Sequence, residues 1–251
     1  RLGPADHPAR GYEEQGELPA EGLTMADLYP VNETFLSWQG EGVHLGRKAF
    51  FIRLQGCPVK CAWCDSASTW HPQYVPKQVR KANAADLADE AKASAPQFVV
   101  ITGGEPCVHD LGPLVAALKS VGLPAHLETC GAYPIAPGIA WVTVSPKWAK
   151  LPLAESLQRA DEVKIIVEAP DTIARWTEAV GGQWLAPHVW LHPEWSQRAN
   201  PAVLKAITDH IKAVGGAFRA GWQVHKPYSA DALDARARPP VPLGGDPAKG
   251  L

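Results

Sequence analysis

Cys57, Cys61 and Cys64 stand at C-x3-C-x2-C spacing within Gln55-Gly56-Cys57-Pro58-Val59-Lys60-Cys61-Ala62-Trp63-Cys64-Asp65. Three thiols on one short segment can converge on one small body, which is what an iron-sulfur cluster asks of its protein donors. A four-iron cube held at three corners keeps one iron without a protein ligand, and that iron can take a substrate or a cofactor. The spacing alone leaves three other readings open. The cysteines could form a Cys3His zinc site with His71 or His109, a thioredoxin-like redox pair, or three unrelated buried thiols.

The apolar run at 49–54 leads directly into these cysteines, so a strand ends by presenting them. Further apolar runs that end in turn residues lie at 98–102, 125–129, 139–144, 163–167 and 189–192. Several are continuous rather than alternating, as strands buried on both faces are. Helical periodicity falls between them. Leu111, Leu114, Val115 and Leu118 make one stripe, and Val203, Leu204, Ile207, Ile211 and Val214 make another. The second has an Asn200 cap, Pro201 at its first position and Gly215 past its end. Residues 84–95 form a weaker third. Strand and helix in alternation imply an α/β fold with a parallel sheet of about six strands, too few for a closed eight-stranded barrel.

At 251 residues the chain can hold one large α/β domain or two small ones. The expected division is a leader or appended segment over 1–24, one domain over 25–228 and a flexible tail over 229–251. Both ends are rich in Pro, Gly and Ala without periodicity, and Met25, the single methionine, reads as a natural start. A net charge of −2 signals no basic face, so nucleic acid is not an expected partner. No apolar run reaches the roughly 18 to 20 residues that span a bilayer, and no secretory core opens the chain. Five cysteines, three of them clustered, argue against a disulfide framework and for a reducing compartment, read here as the cytoplasm. Cys107 and Cys130 read as small buried side chains.

In parallel sheets the ligand site lies at the carboxyl ends of the strands, and the unusual polar residues fall there. Thr102-Gly103-Gly104-Glu105-Pro106 follows the second run, Glu128-Thr129-Cys130-Gly131 the third, Ser145-Pro146-Lys147 the fourth and His192-Pro193-Glu194-Trp195 the sixth. The paired glycines let a ligand approach the backbone, and the adjacent carboxylate can accept from an ammonium.

The cysteine spacing, with an aromatic residue before the last thiol, resembles the signature of radical S-adenosylmethionine (SAM) enzymes. A second resemblance is narrower. Residues 31–42, with Trp38-Gln39-Gly40-Glu41-Gly42, then Phe51-Ile52-Arg53-Leu54, Trp63-Cys64-Asp65-Ser66, the strand-end segments above and Gln223-Val224-His225-Lys226 are similar to the 7-carboxy-7-deazaguanine synthase family over most of 29–228.

That resemblance implies a partial (β/α) barrel of the radical SAM type. It also implies a 4Fe-4S cluster on Cys57, Cys61 and Cys64, SAM and Mg2+ as cofactors, and conversion of 6-carboxy-5,6,7,8-tetrahydropterin to 7-carboxy-7-deazaguanine with loss of ammonia, on the route to queuosine. Trp63, Cys64, Asp65, Gly104, Ser145, Pro146, Lys147, His192, Pro193, Glu194 and Trp195 match SAM contacts. Trp38, Gln39, Gly40, Arg53, Thr102 and His225 match contacts to the pterin. Arg53 would meet its carboxylate with a planar fork. Ser66 takes the place of the usual magnesium-ligating Thr and keeps the oxygen donor. His192 stands where the family more often has Gln, and Cys130 where Asn is commoner. A homodimer and an electron donor such as flavodoxin are the implied partners. Two other functions fit the cysteines: activation of a glycyl-radical enzyme, or electron carriage without catalysis. The 38–42 segment and Arg53 favour a small acidic substrate over the first. The Gly-Gly-Glu-Pro and Ser-Pro-Lys segments favour SAM chemistry over the second.

Overall fold

Nine strands and six helices organise the residues that the computed structural model describes, 28–182, 184–239 and 241. The strands are β1 (Tyr29–Trp38), β2 (Lys48–Leu54), β3 (Arg80–Ala82), β4 (Phe98–Gly103), β5 (Ala125–Thr129), β6 (Trp141–Val144), β7 (Glu162–Val167), β8 (His188–Pro193) and β9 (Phe218–Ala220). They form one sheet in the order β3-β1-β2-β4-β5-β6-β7-β8-β9. Every pair from β2 to β9 is parallel, whereas β1 runs antiparallel to both β2 and β3. With β3 and β9 at its two edges the sheet is open, a partial barrel as expected.

The six expected strands are β2 and β4 to β8, with bounds that agree within one residue except at β6, which begins at Trp141 rather than at 139. β9 adds a seventh parallel strand of three residues, too short to show a pattern. β1 is hidden in the sequence because Pro30 and the polar Asn32, Glu33, Thr34 and Ser37 interrupt its alternation. Those polar groups are paired in the fold: Asn32 Nδ2 donates to Gln55 Oε1 at 2.8 Å and Thr34 Oγ1 to Glu90 Oε1 at 2.5 Å.

Helices α1 (Ala84–Ala93), α2 (Gly112–Ser120) and α5 (Pro201–Val214) fulfil the three periodic stretches. The Asn200 side chain accepts from Ala202 N–H at 3.0 Å, and Gly215 ends α5 at φ 63°. α3 (Ala154–Arg159), α4 (Thr172–Ala179) and α6 (His225–Tyr228) are short and carried no clear stripe. Leu114 and Leu118 of α2 are fully buried against the sheet. Truncating either to Ala would cost about 2–5 kcal/mol.

The loop between β1 and β2 packs on the amino end of β7. Val43 N–H donates to Glu162 Oε2 at 2.9 Å, and that carboxylate also accepts from Thr143 Oγ1 (2.8 Å) and Trp190 Nε1 (2.9 Å). A Cβ at Gly42, which sits at φ 69°, would lie 2.4 Å from Glu162 Oε1. Only glycine both takes that backbone conformation and leaves room for the carboxylate.

The expected leader, 1–24, lies outside the described residues. Of the expected tail, 229–239 and 241 are described; they include a 3-10 turn at Asp231–Leu233 and hydrogen bonds to β1. No helix among the described residues is long and apolar enough to cross a membrane.

Candidate active site

The carboxyl ends of the parallel strands surround one cavity of about 570 Å³. β2 delivers Arg53 and the cysteine loop, β4 delivers Thr102, and the turns after β6 and β8 deliver Ser145, Lys147 and residues 193–195. Cys57, Cys61, Cys64, Trp63, Asp65, Ser66 and Gly104 are in its wall, as are Trp38, Gln39, Gly40, His192, Pro193, Glu194, Trp195 and His225. Of the residues named from sequence, Pro146 is not.

The cysteine loop is shaped to hold something at its thiols. Glu105 N–H donates to Gly56 O at 2.9 Å, and a Cβ on Gly104 would stand 2.1 Å from that oxygen and 2.8 Å from Cys57 Cβ. The Gly-Gly turn therefore packs backbone to backbone on the cysteine loop. All three thiols are free and partly exposed to the cavity. Burial raises the pKa of each, and Cys64, which also faces Asp65, is pushed up to about 12. Positive iron would supply the charge these thiolates need. The zinc alternative lacks its fourth donor: His109 Nε2 meets Gln55 O at 2.9 Å, and His71 Nδ1 accepts from Gln73 N–H at 3.3 Å. Among the described residues no three His, Cys, Asp or Glu side chains converge on a single ion. Three thiols spread along a cavity wall fit a body larger than one ion.

Glu105 braces the neighbouring strand end. Its carboxylate accepts from Cys107 N–H (3.0 Å), Thr129 Oγ1 (2.6 Å) and Cys130 N–H (2.7 Å). Cys130 is buried beside Val59, as a small apolar side chain would be. Lys147 donates to the carbonyl and hydroxyl of Ser145 (2.6 and 2.7 Å), with Nζ 5.3 Å from the Trp63 ring centroid. Two segments distant in sequence, Trp63 and 145–147, thus share one patch.

Arg53 and Thr102 face each other across the β2–β4 register. Arg53 Nε pairs with Glu33 Oε1 at 2.5 Å and Nη1 donates to Ser66 Oγ at 3.0 Å. Asp65 accepts from Gln223 Nε2 (2.8 Å) and pairs with Lys226 Nζ (3.2 Å). Burial alone would raise the Asp65 pKa, but Lys226, Gln223 and Arg53 outweigh it and hold the carboxyl well below the usual range.

Deeper in the cavity lies a charged network that the sequence reading did not assemble. Lys164 of β7 contacts the Glu41 carboxylate and lies 3.1 Å from Glu128 Oε2, while Gln39 Nε2 donates to Glu128 Oε1 at 2.9 Å. Burial disfavours the Lys164 charge, yet the two carboxylates overcome it and raise its pKa. His192 was grouped by sequence with SAM contacts; its Nδ1 stands 4.0 Å from Glu41 Oε2, at this network. Burial drives His192 down to about 4 despite Glu41, so its ring is neutral at physiological pH. His225 packs on Gly40, where a Cβ would be 1.9 Å from its Nδ1. Both His192 nitrogens and His225 Nδ1 are buried with no partner among the described residues. Such nitrogens call for a ligand or water. Lys164 and Glu33 are not marked by the sequence reading, and Glu41 and Glu128, though in segments it names, receive no role there. One signal was present: Lys164 is a lone charge inside the apolar run 163–167.

An open parallel sheet that places a three-cysteine loop, a Gly-Gly turn and a large cavity at its carboxyl ends defines an enzyme of the radical SAM type. A family model described as a 4Fe-4S single cluster domain matches residues 38–131. The 7-carboxy-7-deazaguanine synthase of Synechocystis sp. is 43% identical over 201 residues, covering 79% of this chain and 91% of that protein. The synthase of Escherichia coli K12 is 42% identical over 158 residues, 54% of this chain and 70% of its own. The crystal structure of QueE from Escherichia coli superposes with a TM-score of 0.66 at 33% identity, covering 79% of this chain and 95% of that one. The chain belongs to the 7-carboxy-7-deazaguanine synthase family.

Proposed function

We propose that this chain is a radical SAM carbon-nitrogen lyase. It converts 6-carboxy-5,6,7,8-tetrahydropterin to 7-carboxy-7-deazaguanine with release of ammonia, a step toward queuosine. The observation that carries the reading is the presence in one cavity of three thiols, a paired guanidinium and hydroxyl at Arg53 and Ser66, and a hydrogen-bonded amide and carboxylate at Gln39 and Glu128. Neither activation of a glycyl-radical enzyme nor simple electron carriage needs that substrate-sized, acid-recognising end.

Cys57, Cys61 and Cys64 would hold the cluster, and Trp63, Asp65, Gly104, Ser145, Lys147 and residues 193–195 would hold SAM. When bound, the two supply an electron and a carbon radical able to take a hydrogen from the substrate. The protein's own residues bind, orient and shield. Gly104 admits a ligand to the backbone. Arg53 offers a planar fork to the substrate carboxylate, and the Ser66 hydroxyl oxygen would serve as a ligand to Mg2+, a hard cation that would help offset the same charge. Gln39 and Glu128 present paired donor and acceptor atoms of the kind a pterin edge can match. Lys164 keeps Glu41 ionised despite its burial, and the same ammonium pairs with Glu128. His192 brings a neutral ring to the same end, where the His225 ring also lies.

A single catalytic unit over 25–228 with residues after 228 added to its cavity wall, a homodimer, a flavodoxin-like electron donor and a cytoplasmic setting complete the proposal. The test is anaerobic reconstitution followed by incubation with SAM, reductant, Mg2+ and 6-carboxytetrahydropterin. The deazaguanine product is expected; an intact cluster that cleaves SAM without forming product would overturn the substrate assignment.

A further inference from the structure

The chain after α6 returns along β1. Ser37 Oγ donates to Asp231 Oδ1 and Leu36 N–H to Asp234 Oδ2, both at 2.8 Å. Arg236 clasps Asp234 at 2.6 Å and reaches Glu90 of α1 at 3.6 Å. Arg238 donates through Nε to the Asn32 carbonyl at 2.6 Å and through its main-chain N–H to Glu33 Oε2. Val241 then bridges to Ser66. Ordering a terminal segment costs conformational entropy that few exposed tails recover; here five polar anchors on β1 and α1 offset it. Asp231, Arg238 and Pro239 contribute to the cavity wall.

Glu33 is where this segment meets the site. One of its oxygens holds Arg53 Nε and the other accepts the Arg238 N–H. The rotamer of Glu33, and with it the plane of the Arg53 guanidinium beside Ser66, is therefore fixed from both sides. We propose that residues 229–239 form a strap that walls the substrate side of the cavity, with Arg238 a positioning residue that sets Arg53 through Glu33. This rests on Arg53 being the partner of the substrate carboxylate. By linkage, substrate that docks on Arg53 holds the strap closed, and a closed strap tightens substrate.

The test uses the reconstituted full chain with Arg238→Ala, which keeps the main-chain N–H but loses the Nε bond to Asn32 that holds it on Glu33, and with Asp234→Ala and Asp234→Asn, the last keeping an oxygen acceptor for Leu36 N–H. Expected for the two alanine variants is a KM for 6-carboxytetrahydropterin raised about tenfold with little change in kcat, with iron content and SAM affinity unchanged and the Asn variant close to wild type. Saturating pterin should slow tryptic cleavage after Arg236, and Arg238→Ala should hasten that cleavage without ligand. An unchanged KM, or one that rises only in step with lost iron and SAM binding, overturns the positioning role. Should the wild-type chain make no product, the substrate reading falls separately. The strap is then decided by the ligand-free cleavage rates, and equal rates for wild type and Arg238→Ala overturn it.

Discussion

Gly104 and Gly56 meet without space for a methyl group between them: a Cβ on Gly104 would stand 2.1 Å from the Gly56 carbonyl oxygen. Because Gly56 precedes the first cysteine, Gly104→Ala would displace the cysteine loop itself. Overpacking of this kind costs about 1–3 kcal/mol. Iron bound after anaerobic reconstitution should fall, measured per chain, while far-UV circular dichroism stays near that of wild type. Full iron retention would show that the loop yields at no cost.

Arg53 makes its two bonds through different nitrogens, to Glu33 and to Ser66. Lysine has one ammonium and cannot hold both while meeting a carboxylate. Arg53→Lys is expected to raise the KM for the pterin about 10- to 100-fold, the loss of one or two bonds to a charged group at about 1.5–3 kcal/mol. Substrate-independent cleavage of SAM should persist, since the SAM-side segments are untouched. Steady-state kinetics with product and methionine measured separately check this.

Ser66 supplies a single hydroxyl beside Asp65 and Arg53. Ser66→Thr keeps the oxygen and should preserve the response to Mg2+. Ser66→Ala should raise the Mg2+ concentration for half-maximal activity about tenfold or more. A titration of activity against Mg2+ in the three proteins decides the matter, and identical curves for Ser66→Ala and wild type would remove Ser66 as a ligand.

Acid should unfold the chain through two groups of buried side chains. Burial takes His192 down to about 4 and His126 to about 3, so below pH 6.5 the unfolded chain takes up protons that the folded chain does not, and stability falls as pH drops. For Glu41, burial raises the pKa but Lys164 and the nearby histidines outweigh it, holding it below the ordinary 4.5. Its contribution is complete above pH 4.5 and is lost as pH falls further. Urea midpoints should be level near pH 7 to 8, decline from about 6.5, and decline again below about 4.5. His192→Gln should flatten the first decline; a midpoint that rose on acidification from 7 to 5 would contradict this account.

Local chemistry made much of the molecule legible in advance. Apolar runs, several of them continuous, marked β2 and β4 to β8, because parallel strands covered on both faces need not alternate. The Asn200 cap with Gly215 marked α5, because helix ends satisfy their backbone with near neighbours. The cysteine spacing, the Gly-Gly turn and their positions after strand ends pointed to the cavity, since such segments owe their form to adjacent residues. Other features needed the fold. β1 is a strand only because β2 and β3 supply its ladder, and its polar residues face partners 20 or more positions away, as Glu33 does Arg53. Lys164 became part of the site when the sheet brought Glu41 and Glu128 to it across separations of 123 and 36 residues. Asp234 and Arg238 gained their roles when the chain end crossed back to β1, 198 and 206 residues from its bonding partners Leu36 and Asn32. A propensity or a motif is a property of a few consecutive residues. A charge pair, a rotamer clasped from two sides and a cavity wall exist only once distant segments share one space.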